Sequence, residues 1–274
     1  MAIQCFVCGF AHLDPLPSAD ALERFYSSEF WETDKPGEVA RALDQADWLS
    51  ATYADWLTVL EGRAPGGTLL DVGCGYGWFL QAAALREWHV AGLDPSRAAC
   101  DYVVSTMSVP IKNGSWENSM PGVFDAIAAH WMIEHVPDPA AFLRWCRASL
   151  YSGGALLLVC PNEWTQAQRH ANNYVAVYNY FIDPTHVNYF GQSSLSNLLG
   201  RCGFRVTDWL ATEPMENFLI NRRDYTVDPA IGRECHREIE MRDLSWTRAE
   251  RLAHYRELGG FGQGRDLVCV AVPE

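Results

Sequence analysis

Four short stretches of this 274-residue chain carry residues able to do chemistry: "LLDVGCGYGWFL" at 69–80, "VAGLDPS" at 90–96, "HWMIEHVPDP" at 130–139 and "THVNYF" at 185–190. The first runs from two leucines into Asp71 and then places glycine at 73, 75 and 77. A strand that ends in a Gly-rich turn before a helix is a common wall of nucleotide-type sites. Dinucleotides require Gly-x-Gly-x-x-Gly, whose last glycine lets helix and strand approach closely. Counted from Gly73, that position is Trp78. A phosphate loop requires Gly-Lys-Ser/Thr, which the turn lacks. A carboxylate two residues ahead of the turn is awkward beside a pyrophosphate and welcome beside a cation. S-adenosylmethionine (SAM) carries a sulfonium and an ammonium and no phosphate. Gly73, Gly75 and Gly77, with Cys74 and Tyr76 between them, would let its methionine part lie against bare backbone.

The elements that must hold these stretches alternate in type from residue 68 onward. Apolar runs at "TLLDVG", "WHVAGLDPS", "FDAIAAHWM", "GGALLLVCPN", "RVTDWLAT" and "RDLVCVAVPE" read as strands. Helical patterns at 78–87, 97–107, 138–150 and 193–204 lie between them, the last closed by Gly203. Strands that are apolar throughout are buried on both faces, and their alternation with helices predicts a doubly wound α/β sheet. The last two strands are about 50 residues apart, too far for a plain loop, so 213–264 is an insert, helical across 232–258. Ahead of the sheet, Ser18 reads as the N-cap of one helix, and a second runs from Val39 to Leu60. We divide the chain into 1–60, a Cys-pair and helical lid segment, and 61–274, with insertions at 162–190 and 213–264.

Bulk properties exclude several partners. Net charge is −13 with no Lys/Arg block, which argues against nucleic acid. No run of about 20 apolar residues and no signal-type leader is visible, so neither a membrane span nor secretion is expected. Nine cysteines, mostly scattered singly, suit reduced thiols in a cytoplasmic protein.

These motifs, in this order, resemble the class I SAM-dependent methyltransferases, in the branch of ubiquinone-pathway and sugar methyltransferases. The resemblance covers about 66–212 and resumes at the last strand. It implies a Rossmann-like seven-stranded sheet with an antiparallel last strand. It also implies that Asp94, followed by Pro95, takes both ribose hydroxyls. "NGSWEN" stands where the family has Gly-Asp, with Ser115 in place of the aspartate and Trp116 able to stack on adenine. "FDAIAAHWMIEHVPDP" is similar to the family's fourth-strand pattern, and His130 at its strand end is placed with the cofactor-binding residues. Histidines at the positions of His135 and His186 line the reaction centre of related sugar C-methyltransferases.

Methyl transfer is an in-line displacement, so the protein aligns the acceptor and removes its proton. His186 is expected to act as general base, with His135 orienting the substrate or serving as alternate base. Segment 162–190 is expected to cover the acceptor. There Asn173, Tyr174, Tyr178, Tyr180 and Tyr189, with Trp131, would shape an amphipathic site for a sugar, glycan precursor or secondary metabolite. The 213–264 insert would close the pocket or supply a homodimer contact. Two other readings are a SAM-binding partner protein without catalysis and a nucleotide-cofactor oxidoreductase; Trp78 argues against the second.

"CFVCG" is half of a four-ligand zinc site. The related sugar methyltransferases carry two such pairs before a Pro-x-Pro-Ser linker, which Leu16-Pro17-Ser18 matches. Cys5, Cys8 and His12 give three ligands and no fourth, so no zinc is expected.

Overall fold

The computed structural model describes residues 2–35, 37–119, 122–177, 179–183 and 185–274. Its main sheet forms because five apolar segments each find neighbours on both edges. The strands are β3 (Thr68–Val72), β4 (His89–Asp94), β5 (Ile111–Asn113), β6 (Phe124–His130), β7 (Leu150–Pro161), β9 (Phe204–Ala211) and β10 (Asp266–Pro273). They lie in the order β5-β4-β3-β6-β7-β10-β9. The pairs from β5 to β7 are parallel, and β10 runs antiparallel to both β7 and β9. The doubly wound sheet with a reversed last strand is therefore present. Strand β5, three residues long, is too short and polar to stand out in the sequence.

Successive side chains of β3 point to opposite faces, and the two faces carry separate cores. Leu70 and Val72 pack with α6 (Pro139–Ala148) and α8 (Gln192–Arg201), through Phe142, Leu143, Leu195 and Leu198. Leu69 packs on the other side with α3 (Ala46–Glu61), α4 (Trp78–Ala84) and α5 (Arg97–Thr106), through Leu57, Leu60, Phe79, Leu80 and Val103. Leu57, Leu60 and Leu80 have no exposed surface, and burying each contributes about 2 kcal/mol. The same alternation puts Asp71, next to the end of β3, as an ionisable residue in a buried row.

The N-terminal segment departs from its expected form. The Cys pair sits on a hairpin of β1 (Ala2–Gln4) and β2 (Ala11–Leu13), and β2 pairs with β8 (Asn188–Tyr189) to make a second, three-stranded sheet. Ser18 caps α1 (Ala19–Arg24) through its hydroxyl, which accepts from the amide of Ala21 at 3.3 Å. The helix then widens into a π-helical stretch, Phe25–Asp34. The expected single helix from Val39 is two, α2 (Glu38–Asp44) and α3, with Gln45 between them. The 162–190 segment is largely irregular and contains one short helix, α7 (Gln166–Ala171).

The insert forms α9 (Glu216–Ile220), α10 (Pro229–Ser245) and α11 (Arg248–Gly260). A buried bidentate pair fastens it to α3: Arg251 donates to Asp55 at 2.7 and 3.1 Å. A Cβ at Gly259 would lie 2.6 Å from the backbone of Leu210, so glycine there lets α11 press on β9. No helix among the described residues is long and apolar enough to cross a membrane.

Candidate functional site

Strands β3 to β7 all end at one edge of the sheet, the edge where open α/β folds bind ligands. A cleft of about 1220 Å³ opens there, walled by the strand ends, the N-terminal helices, the 162–190 segment and the insert. Asp71, Gly73, Cys74, Gly75, Tyr76, Asp94, Pro95, Ser115, Trp116, His130, Trp131, His135 and His186 all line it.

The turn after β3 is shaped by backbone contacts. Asp94, at the end of β4, accepts from the amide of Gly75 at 2.8 Å through one carboxylate oxygen and from that of Ser96 at 2.8 Å through the other. Burial raises its pKa to about 6, and the two amides oppose that rise. Gly75 adopts a φ of +49°, and a Cβ there would lie 3.0 Å from the Trp31 indole of the π-helical stretch. Gly77 lies off the cleft: its φ of +80° starts α4, and a Cβ would strike Val103 of α5 at 2.9 Å.

Asp71 is 2% exposed, and its Oδ1 has no hydrogen-bond partner among the described residues. Burial, then the charge of Asp94, pushes its pKa up to about 8. Nδ1 of His130 lies 3.9 Å away. His130 is caged by Phe79, Trp56 and Tyr53, and burial pulls its pKa down to about 3. Its imidazole is neutral, so this contact is not an ion pair. A buried carboxylate without a counter-charge, beside a bare glycine turn, is the donor set a cationic, phosphate-free ligand requires. The residues present therefore fit SAM.

The other half of the cleft is built around two histidines whose ring centroids are 5.0 Å apart. Nδ1 of His135 lies 2.7 Å from the Tyr26 hydroxyl and 3.3 Å from the carbonyl of Thr185. Burial, then the neighbouring His186, lowers its pKa to about 3. Nδ1 of His186 lies 3.5 Å from Glu163, and Nε2 lies 3.9 Å from Asp183. Burial opposes charge on His186, but Glu163, Glu134 and Asp183 outweigh it and raise the pKa. Among the described residues, neither carboxylate oxygen of Glu134, itself 1% exposed, has a hydrogen-bond partner from another residue, and Nε2 of His135 lies 4.0 Å from Oε1. Burial raises it to about 8. Ligand-type atoms of Glu134, His135 and His186 lie within 4.8 Å of one another.

Several tyrosines fall elsewhere than expected. Tyr189 is in the core at 2% exposure, and its hydroxyl donates to the carbonyl of Asp183 at 3.1 Å. Strand β8 explains this: pairing with β2 turns Tyr189 inward. Tyr174 is off the cleft wall, held under Arg222 at 5.0 Å, and Asn173 bonds back to the carbonyl of His170. Tyr180 does line the cleft and donates to Glu216 at 3.2 Å; Tyr178 lies outside the described residues. Trp116 lines the cleft with its ring edge-on to Phe142. Tyr26, Trp31, Glu134, Glu163, Glu216 and Tyr225 are cleft residues that sequence reasoning passed over. For Glu134 the signal was at hand, since it precedes His135 directly.

A family model described as a methyltransferase domain matches residues 46–208. The chain belongs to the methyltransferase-domain family. The matched domain holds every strand from β3 to β7 and the neighbouring histidines His135 and His186. A ubiquinone biosynthesis O-methyltransferase of Xanthomonas campestris pv. campestris is 32% identical to it over 147 residues, 50% of this chain and 58% of that protein. The protein of the same name from Pseudomonas paraeruginosa is 36% identical over 123 residues, 42% and 53%. The chain thus matches little more than half the length of these curated relatives. In fold, the domain is similar to a SAM-dependent methyltransferase of Thermotoga maritima, with a TM-score of 0.55 at 17% identity over 89% of this chain and 98% of that one. It is also similar to a plantazolicin methyltransferase solved in complex with SAH (S-adenosylhomocysteine), with a TM-score of 0.56 at 15% identity over 93% and 94%.

Proposed function

We propose that this chain binds SAM and transfers its methyl group to a small-molecule acceptor of the sugar or secondary-metabolite kind. The observation that carries the reading is the buried, unpartnered carboxylate of Asp71 at the foot of a glycine turn closed by Asp94. Asp71 would hold the ammonium of the methionine part. Asp94 would accept from the ribose hydroxyls, since each of its oxygens has a further lone pair beyond its one amide bond. Ser115 and Trp116 would border the adenine. When bound, SAM supplies a methyl carbon activated by a sulfonium leaving group.

The chain's own residues then have three tasks. The cleft orients the acceptor in line, a positional effect worth about 7 kcal/mol or more of the barrier when well achieved. Tyr26, Phe30 and Trp31 cover the turn and the His135 ring, which keeps water from the reacting atoms. His186, whose Nδ1 and Nε2 face Glu163 and Asp183 at 3.5 and 3.9 Å, takes the acceptor's proton, while His135 stays neutral and orients.

The names of the curated relatives specify oxygen as the acceptor, and their match extends over about half of this chain. Calorimetric titration with SAM and with NAD tests the reading. Binding of SAM with none of NAD is expected; the reverse would sink it.

A further inference from the structure

The acceptor half of the cleft is walled by acids. Among the described residues, the cleft as a whole, cofactor half included, holds twelve Asp and Glu side chains against Lys35, Arg41 and Arg265, and of the twelve Asp55 and Glu213 are paired with Arg251 and Arg242. Arg265 is itself flanked by Glu216 and Asp266. A phosphorylated or carboxylated acceptor would bring more negative charge into this space, an arrangement that like-charge repulsion rejects. The feature that points to a particular ligand is more local. Glu134 at 1% and Glu163 at 6% exposure face the cleft beside His186, and between them three carboxylate oxygens have no hydrogen-bond partner from another described residue. A hydroxyl acceptor can donate one hydrogen bond and would leave two of the three oxygens unmet. An alkylammonium donates three and brings the missing positive charge. One ligand-type atom each of Glu134, His135 and His186 lies within 4.8 Å of the others, so a small cation at the Glu134 carboxylate also has an imidazole nitrogen within reach of its N–H groups.

We propose that the acceptor is an amine, which enters as its ammonium form, docks between Glu134 and Glu163 and is methylated on nitrogen. This rests on the methyl-transfer reading above and adds the substrate class. In the step, one N–H bond of the ammonium breaks and its proton passes to the neutral imidazole of His186. The lone pair so freed forms the N–CH3 bond as the C–S bond breaks, and that bond's electron pair stays on sulfur. The product leaves as an N-methylated ammonium, and His186 returns its proton to solvent. Trp131, Phe181 and Tyr180, also on the wall, accept the carbon skeleton.

The test uses three probes with one skeleton: cyclohexylamine, cyclohexanol and cyclohexanecarboxylate. Each is titrated calorimetrically into the full chain, alone and saturated with SAH. The amine is expected to bind at least 10-fold more tightly than the alcohol, and the carboxylate not at all. The ratio should fall to within about twofold in the Glu134→Gln/Glu163→Gln variant, whose melting temperature confirms that it folds. Equal binding of amine and alcohol, no binding of the amine, or a preference that survives both substitutions would overturn the proposal. So would displacement of the amine by Mg2+ or Mn2+, which would make Glu134, His135 and His186 a metal site. Failure of SAH to bind would instead count against the methyl-transfer reading, because the amine-to-alcohol ratio is also measured without SAH.

Discussion

The hydroxyl of Tyr26 and Nδ1 of His135 lie 2.7 Å apart, joining the N-terminal π-helical stretch to the turn after β6 across 109 residues of sequence. The contact fixes which imidazole nitrogen faces the cleft and ties the covering segment to the reaction centre. Removing the hydroxyl with Tyr26→Phe costs about 1 kcal/mol in contact energy. Turnover is expected to drop about 10-fold through misorientation of His135. SAH affinity should change less than threefold. Comparing calorimetric Kd with initial rates separates the two effects.

Asp94 serves the turn and the ligand together, so its loss should be felt twice. Asp94→Ala leaves the Gly75 and Ser96 amides without an acceptor, a cost of about 1–3 kcal/mol each if they stay buried. SAH binding is expected to vanish. Asp94→Asn keeps one acceptor oxygen and should bind weakly. A wild-type Kd in Asp94→Ala would remove Asp94 from the cofactor site.

Gly75 and Trp31 form a second coupled pair. Alanine at 75 must adopt a φ of +49° and push its Cβ against the indole. Strain of about 1 kcal/mol and displacement of the covering stretch are expected, with SAH affinity down at least 10-fold. Trp31→Ala in the Gly75→Ala background should recover part of that loss, because the clash is gone while the strain stays. A double-mutant cycle with no coupling would contradict the geometry.

Asp71 and Glu134 are both pushed up to about 8, so the fold favours their neutral forms. With a folded pKa above the unfolded one, their stabilising contribution is complete below about pH 4 and is lost as pH rises through about 8. The ligand-free chain should therefore melt at lower temperature at pH 8.5 than at pH 5.5. A cation beside Asp71 restores its charge, so SAM binding at pH 7 should release a proton. Calorimetry in buffers of different ionisation enthalpy counts that proton, and Asp71→Asn should abolish it.

His186→Ala is expected to keep SAH binding within about threefold and lose at least 100-fold in turnover, the lower range for a general base. Transfer at the parent rate would remove His186 from the proton step.

The sheet and its glycine turn were legible in the sequence because burial on both faces leaves unbroken apolar runs, and Asp71, Gly75 and Asp94 stand at their ends. The acceptor half was less legible. Its polar groups come from segments that touch only after folding: Tyr26 and Trp31 from the N-terminus, Glu163 from beyond β7, Glu216 and Tyr225 from the insert. Tyr189 shows the reverse, since aromatic residues in a covering segment look alike whether they face ligand or core. Only its pairing partner β2, far away in sequence, decides that it points inward.

The central claim is that the glycine turn and Asp71 hold a cationic adenosyl ligand. Titrating wild-type chain and Asp71→Asn with SAM and with SAH, which lacks the sulfonium but keeps the ammonium, tests it most directly. One site per chain is predicted, with both ligands weakened at least 10-fold by Asp71→Asn, and no heat with NAD. Undiminished affinity in Asp71→Asn, or tight NAD binding, would contradict it.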